Sequence, residues 1–133
     1  AENLSRNTIY KTMKQTSELK FVKDLKRNAV ICYDDCNLKI VAQKIIKENM
    51  NHIVITNRDH ILKGIVTSFD VTKAIAEDKT EINEIITKKV ITTTDNEPIE
   101  VAARKMKVND ISALPVIDED MKVIGILTSE ELM

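Results

Sequence analysis

The sequence predicts an α/β (α+β) fold, two β-α-β-β-α repeats packed sheet to sheet about a pseudo-twofold axis. Three observations carry this. GIVTSFDV at Gly64–Val71 returns as GILTSEEL at Gly125–Leu132, 61 residues later. The same shift lays Val30–Val71 over Ile91–Leu132 without a gap, so Asp34 meets Asp95, Ala42 meets Ala103 and Lys44 meets Lys105. Within each copy, short β-branched runs alternate with segments of helical spacing. One such unit leaves a sheet face bare, and two copies can cover each other. The pairing also creates two equivalent clefts.

The elements follow in order. Residues 1–20 form a polar leader in which Ile9 and Met13 stand one helical turn apart, read as a short helix or linker. Repeat 1 spans 21–79. VIC at Val30–Cys32 is a strand, and Asp35 to Asn37 supply helix-start chemistry. Leu38, Val41, Ala42, Ile45 and Ile46 keep helical spacing. HIVIT is a strand, NRDH a tight polar turn and ILKGIVT the returning strand. Ser68 caps a second helix through VTKAIAED, whose Lys73 lies on a solvated face. Repeat 2 spans 80–133. VIT at Val90–Thr92 is its first strand, and Pro98 suits the first turn of a helix carrying Ile99, Ala102, Ala103 and Met106. ALPVI and KVIGILT are strands around the DEDM turn, with Pro115 at an edge or strand start. Ser129 caps a final helix that Met133 cuts short, which suggests a module of a longer chain. Gly64 and Gly125 are the only glycines, placed in strands where a Cβ would crowd a neighbour.

Composition excludes several functions. Net charge is −1, from 20 basic and 21 acidic residues, which gives no footprint for nucleic acid or an anionic membrane. The aromatics Tyr10, Phe21, Tyr33 and Phe69 form no base-stacking platform. No apolar run approaches the ~20 residues of a bilayer span, and no signal peptide is visible. Cys32 and Cys36 are too few for a disulfide framework and read as free thiols of a reducing, cytoplasmic compartment. Two glycines rule out a Gly-rich phosphate cradle. No nucleophile stands with a base, and no metal cluster is evident, so the chain is not expected to be an enzyme.

NMNHIVITNRDHILKGIVTSFDV and NDISALPVIDEDMKVIGILTSEEL each place G-h-h-T-S-x-D/E after a strand and a turn. In these stretches, and from about Val22 to its end, the chain resembles the tandem CBS domain pair, the Bateman module named after cystathionine β-synthase. The resemblance implies a regulatory binder of an adenosine-containing ligand that needs no cofactor. It also implies a flat homodimer and a fused or associated effector domain. It assigns the ribose hydroxyls to the acid of T-x-x-D, with the Thr close by and each cleft completed by the other repeat. Thr67, Ser68 and Asp70 would therefore be closed over by Ile91, Thr92, Ala102, Ile111 and Ser112. A second, weaker cleft would use Thr128 and Glu131 with Val30, Ile31, Val41, Met50 and Asn51. Glu131 departs from the pattern, because it keeps the charge but moves it out by one methylene.

The resemblance places phosphate contacts just before the central strand of each repeat, at Asn51 and His52 and at Ser112 and Ala113. Only His52 can become cationic there, and only partly at neutral pH. That argues against ATP and toward AMP at most, or toward the tails of S-adenosylmethionine and methylthioadenosine. Simpler roles stand beside these. Asp70 can cap the helix that follows it, Thr67 and Thr128 can be plain strand ends, and His52 can be an interface histidine. His60 reads as a solvated turn residue. The alternative function is a CBS pair without ligand, acting as a dimerisation scaffold.

Overall fold

The computed structural model describes residues 20–133. The leader helix expected around Ile9 and Met13 lies outside the described residues. The chain runs α1 (Val22–Leu25), β1 (Ile31–Tyr33), α2 (Leu38–Glu48), β2 (His52–Thr56), β3 (Leu62–Thr67) and α3 (Ser68–Ala76). It continues through α4 (Ile82–Ile85), α5 (Ile99–Asn109), β4 (Ala113–Ile117), β5 (Val123–Thr128) and a 3-10 turn at Ser129–Leu132. The first sheet has the order β1-β2-β3, with β1 parallel and β3 antiparallel to β2. The second sheet is the β4-β5 hairpin.

The repeat extends to backbone detail. The β2–β3 register shifts between Ile55 and Thr56, and the β4–β5 register shifts at the equivalent Val116 and Ile117. Four of the five left-handed residues among the described residues also fall into pairs 61 apart: Asn49 (φ 51°) with Asp110 (φ 50°), and His60 (φ 66°) with Met121 (φ 65°). Asn and Asp tolerate that region, which suits them to the ends of α2 and α5.

Two expectations need correction. Val90–Thr92 is not a strand; repeat 2 keeps only a parallel bridge of Thr93 to Val116. In repeat 1 the N–H of Val54 donates to the carbonyl of Val30 at 2.9 Å. The residue equivalent to Val54 is Pro115, which has no N–H, so the ladder cannot start at Ile91. The caps also sit one residue early. Thr67 and Thr128, not Ser68 and Ser129, hold the N-cap positions, because their extended backbone turns each hydroxyl onto the first turn. Asn37 does cap α2, accepting from the N–H of Ile40 at 2.9 Å.

The two halves exchange their lead-in segments. Val22 of α1 is fully buried in the repeat 2 core with Ala102, Met106, Leu114, Val116 and Leu127. Ile82 of α4 joins the repeat 1 core with Val41, Ile53, Ile55 and Val66. Each such side chain contributes about 1.5–3 kcal/mol to holding the opposite repeat. Arg27 then pairs with Ile126 on β5, and Thr87 pairs with Ile65 on β3. These crossings pass over the glycines. A Cβ on Gly64 would run into Ile86, and one on Gly125 would lie 2.9 Å from the Arg27 carbonyl oxygen. Between the sheets, Met50 and Val54 of one repeat meet Ala113 and Ile126 of the other. No helix among the described residues is long and apolar enough to cross a membrane.

Candidate functional site

Thr67 ends β3 and starts α3. Its Oγ1 accepts from the N–H of Asp70 at 3.1 Å, and Asp70 Oδ2 accepts from the N–H of Thr67 at 2.9 Å. This reciprocal cap fixes the carboxylate at the helix start. Asp70 Oδ1 has no hydrogen-bond partner among the described residues, so one oxygen remains to accept from a ligand. The cap and the binding role are thus compatible.

Thr67 and Asp70 border a cavity of about 530 Å³, within the range of small-molecule sites. Ile91, Ile111 and Ser112 of the other repeat line its opposite wall. His52 lies between the two, its Nε2 3.0 Å from the Ser112 hydroxyl. Burial holds the His52 imidazole below its ordinary value of 6.5, although the carboxylates of Asp70 and Glu130 push the other way. At neutral pH it is therefore neutral and a poor counter-charge for phosphate. Ile65, Thr87, Lys89, Val90, Asp110 and Ala113 complete the lining.

Other expected residues lie elsewhere. Ala102 is fully buried in the repeat 2 core and does not line this cavity. Thr92 does not border the cavity; its carbonyl accepts from Lys105 Nζ at 2.9 Å. Ser68 also stays outside, donating from its hydroxyl to Asn51 Oδ1 at 3.2 Å.

A second cavity of similar volume, about 530 Å³, holds Val30, Ile31 and Met50 together with Arg27, Asn28, Lys44 and Glu48. Thr128, Glu131 and Asn51 are not part of its lining, and Val41 is fully buried in the repeat 1 core. Glu131 folds back on its own cap. Its Oε1 accepts from the Thr128 N–H at 2.9 Å, and both oxygens lie within 3.0 Å of Thr128 Oγ1. Arg27 Nη1 stands 4.0 Å from Glu131 Oε2 and 3.9 Å from Glu130 Oε2. The acid of the second cleft is thus engaged by its own cap and stands beside Arg27, one of the residues lining that cavity.

Away from the clefts, burial and the adjacent Cys32 push the Cys36 thiol up to about 12. Both cysteines are free. Among the described residues no group of His, Cys, Asp and Glu is placed to hold a metal ion.

Lys89 and Asp110 had no place in the motif reading. The repeat could have pointed to them, since their equivalents are the uncharged Asn28 and Asn49.

A duplicated unit, its second copy reduced at the first strand to a single bridge, with a ligand-sized cleft between the copies defines a paired binding module. The CBS domain family matches residues 22–77 and 82–133, and the chain belongs to it. It is similar to the CBS domain pair of protein MJ0100 in complex with 5′-methylthioadenosine and S-adenosyl-L-methionine. That likeness has a TM-score of 0.82 and 37% identity, and covers 86% of this chain and 93% of that one. The CBS domain protein PAE2072 from Pyrobaculum aerophilum, complexed with AMP, is similar at a TM-score of 0.79 and 25% identity, covering 85% of this chain and 90% of that one. An L-aspartate semialdehyde sulfurtransferase of Methanosarcina acetivorans is 37% identical over 98% of this chain and 27% of its own length. A homoserine O-acetyltransferase of Methanosalsum zhilinae is 43% identical over 81% of this chain and 22% of its own. The chain thus spans about a quarter of these curated relatives.

Proposed function

We propose that this chain is a non-catalytic regulatory module that binds an adenosine-containing ligand in the Asp70 cleft. S-adenosylmethionine, methylthioadenosine and AMP are favoured over ATP. One observation carries the reading: Thr67 and Asp70 of repeat 1 share a single cavity with Ile91, Ile111 and Ser112 of repeat 2. A carboxylate oxygen left over from the cap suits a vicinal diol, and apolar walls suit a purine. Neutral His52 and the carboxylates of Asp70 and Asp110 disfavour a triphosphate.

The module acts on a fused or associated effector domain, with residues 21–79 and 80–133 as the two repeats and 1–20 as the leader. Its likeness to parts of two differently named enzymes supports control rather than catalysis as its task. Ile46, Phe69, Ile75 and Val108 are exposed by 64% or more, apolar surface of the kind a homodimer would cover. The unpaired cysteines suit a reducing, cytoplasmic setting. Glu131, spent on Thr128, makes the second cleft the weaker one.

Calorimetric titration with S-adenosylmethionine, methylthioadenosine, AMP and ATP tests this, alongside Asp70→Asn. Asn keeps a carbonyl for the Thr67 N–H, so the cap survives while the charge is lost. Loss of one charge-assisted bond, about 1.5–3 kcal/mol, weakens binding roughly 10- to 100-fold. Binding at one site per chain is expected. Flat titrations from a folded sample reject the reading in favour of the dimerising scaffold, which the folded-back Glu131 favours.

A further inference from the structure

We infer that Lys89 and Asp110 form a subsite for the α-amino-acid tail of the ligand, so that this cleft selects S-adenosylmethionine over methylthioadenosine and AMP. The inference rests on the reading of the Asp70 cleft as an adenosine site. Repeat 1 supplies the ribose acid, and repeat 2 supplies the apolar wall of Ile91 and Ile111. Lys89 lies two residues before Ile91, and Asp110 immediately precedes Ile111. Both line the same cavity as Asp70, and both are exposed. Neither joins a salt bridge or a side-chain hydrogen bond among the described residues. One cation and one anion thus remain once Asp70 is assigned to the ribose.

The fold does not require these charges. Asp110 ends α5 with φ 50°, and Asn49 does the same for α2 with φ 51°. A short polar side chain meets the backbone need in either copy; only Asp adds a charge. Counting back from Ile91 and from Val30, Lys89 corresponds to Asn28. The second cavity has cations of its own, but Arg27 there faces Glu130 and Glu131.

Ligand chemistry separates the candidates. An α-amino-acid tail carries an ammonium for Asp110 and a carboxylate for Lys89. The thioether of methylthioadenosine uses neither. A phosphate gains from Lys89 but is repelled by Asp110 and Asp70.

The test replaces each residue with its repeat 1 counterpart, Lys89→Asn and Asp110→Asn. These variants and the parent chain are titrated with S-adenosylmethionine, S-adenosylhomocysteine, methylthioadenosine and AMP. Each variant should weaken S-adenosylmethionine and S-adenosylhomocysteine about tenfold and leave methylthioadenosine within about twofold. AMP should weaken with Lys89→Asn and strengthen with Asp110→Asn. Unchanged S-adenosylmethionine binding, or equal loss for methylthioadenosine, overturns the subsite and leaves the Asp70 site standing. If Asp110→Asn weakens S-adenosylmethionine alone, Asp110 reads the sulfonium, and the amino-acid assignment falls. If the folded parent chain binds none of the four, the adenosine reading fails and the subsite with it.

Discussion

Gly64→Ala should destabilise the protein and loosen the Asp70 cleft together. Gly64 is buried in β3 opposite Ile55. An added Cβ would collide with the Ile86 side chain and lie 2.8 Å from the Thr87 carbonyl oxygen. Ile86 can change rotamer, but the Thr87 carbonyl is backbone and is tied down. Thr87 N–H donates to the Ile65 carbonyl at 3.0 Å, and Ile65 N–H donates back at 3.1 Å. Relief must therefore push the Thr87 strip away from β3. Overpacking of this kind costs about 1–3 kcal/mol. In an uncrowded strand, Gly→Ala would instead stabilise by about 0.4–1 kcal/mol through the unfolded chain. The sign of the change is thus diagnostic. Urea melts should show the loss, with Tm lower by roughly 3–12 °C. Because the strip continues into Lys89, Val90 and Ile91, ligand affinity should fall at a temperature where the variant is still folded. Gly125→Ala is the control. Its Cβ meets the Arg27 carbonyl on the other crossing, so stability should drop while the Asp70 cleft keeps its affinity. A Gly64→Ala protein as stable as its parent would refute the account of the crossing.

Two further outcomes concern titration. His52 has a lowered pKa in the fold, so its contribution to stability is complete above about pH 6.5 and is lost as pH falls toward the folded value. His52→Gln should flatten the pH dependence of the urea midpoint between about pH 7 and 5, and parallel profiles would contradict the assignment. Cys36, pushed up to about 12, holds almost no thiolate at neutral pH. Iodoacetamide should label it far more slowly in the folded protein than in urea; equal rates would show that its shielding is wrong.

Much of this architecture was legible because the repeat imposed it. The 61-residue register pointed to both hairpins, both crossover helices and the shared cleft. The missing strand at Val90–Thr92 was also written in the chain, as Pro115 at the position of Val54, but β-propensity weighed more than the absent N–H. The caps slipped by one because Thr and Ser both accept from a helix start, and only the backbone angles of Thr67 and Thr128 separate them. The family pattern puts Ala102 and Val41 at the clefts, yet their helices turn them into the cores. The exchange of α1 and α4 between repeats had no local signal. Val22 and Ile82 look like any apolar residue at a helix start, and only the closed structure says which core receives them.

The different bonding of the two acids follows from one methylene. Asp70 and Glu131 hold the same position, the third residue of a helix capped by Thr. Asp70 reaches the cap N–H with one oxygen and has no length to curl further, so its other oxygen stays available. Glu131 has that length. It bends until both oxygens lie by the Thr128 hydroxyl, and the swapped lead-in brings Arg27 to 4.0 Å from it. The longer acid thus becomes a satisfied structural cap, while the shorter one remains an unfinished hydrogen-bonding group facing a cavity. Duplication placed an acid at the same cap position in both copies, and the side-chain length decides which acid is satisfied within its own cap.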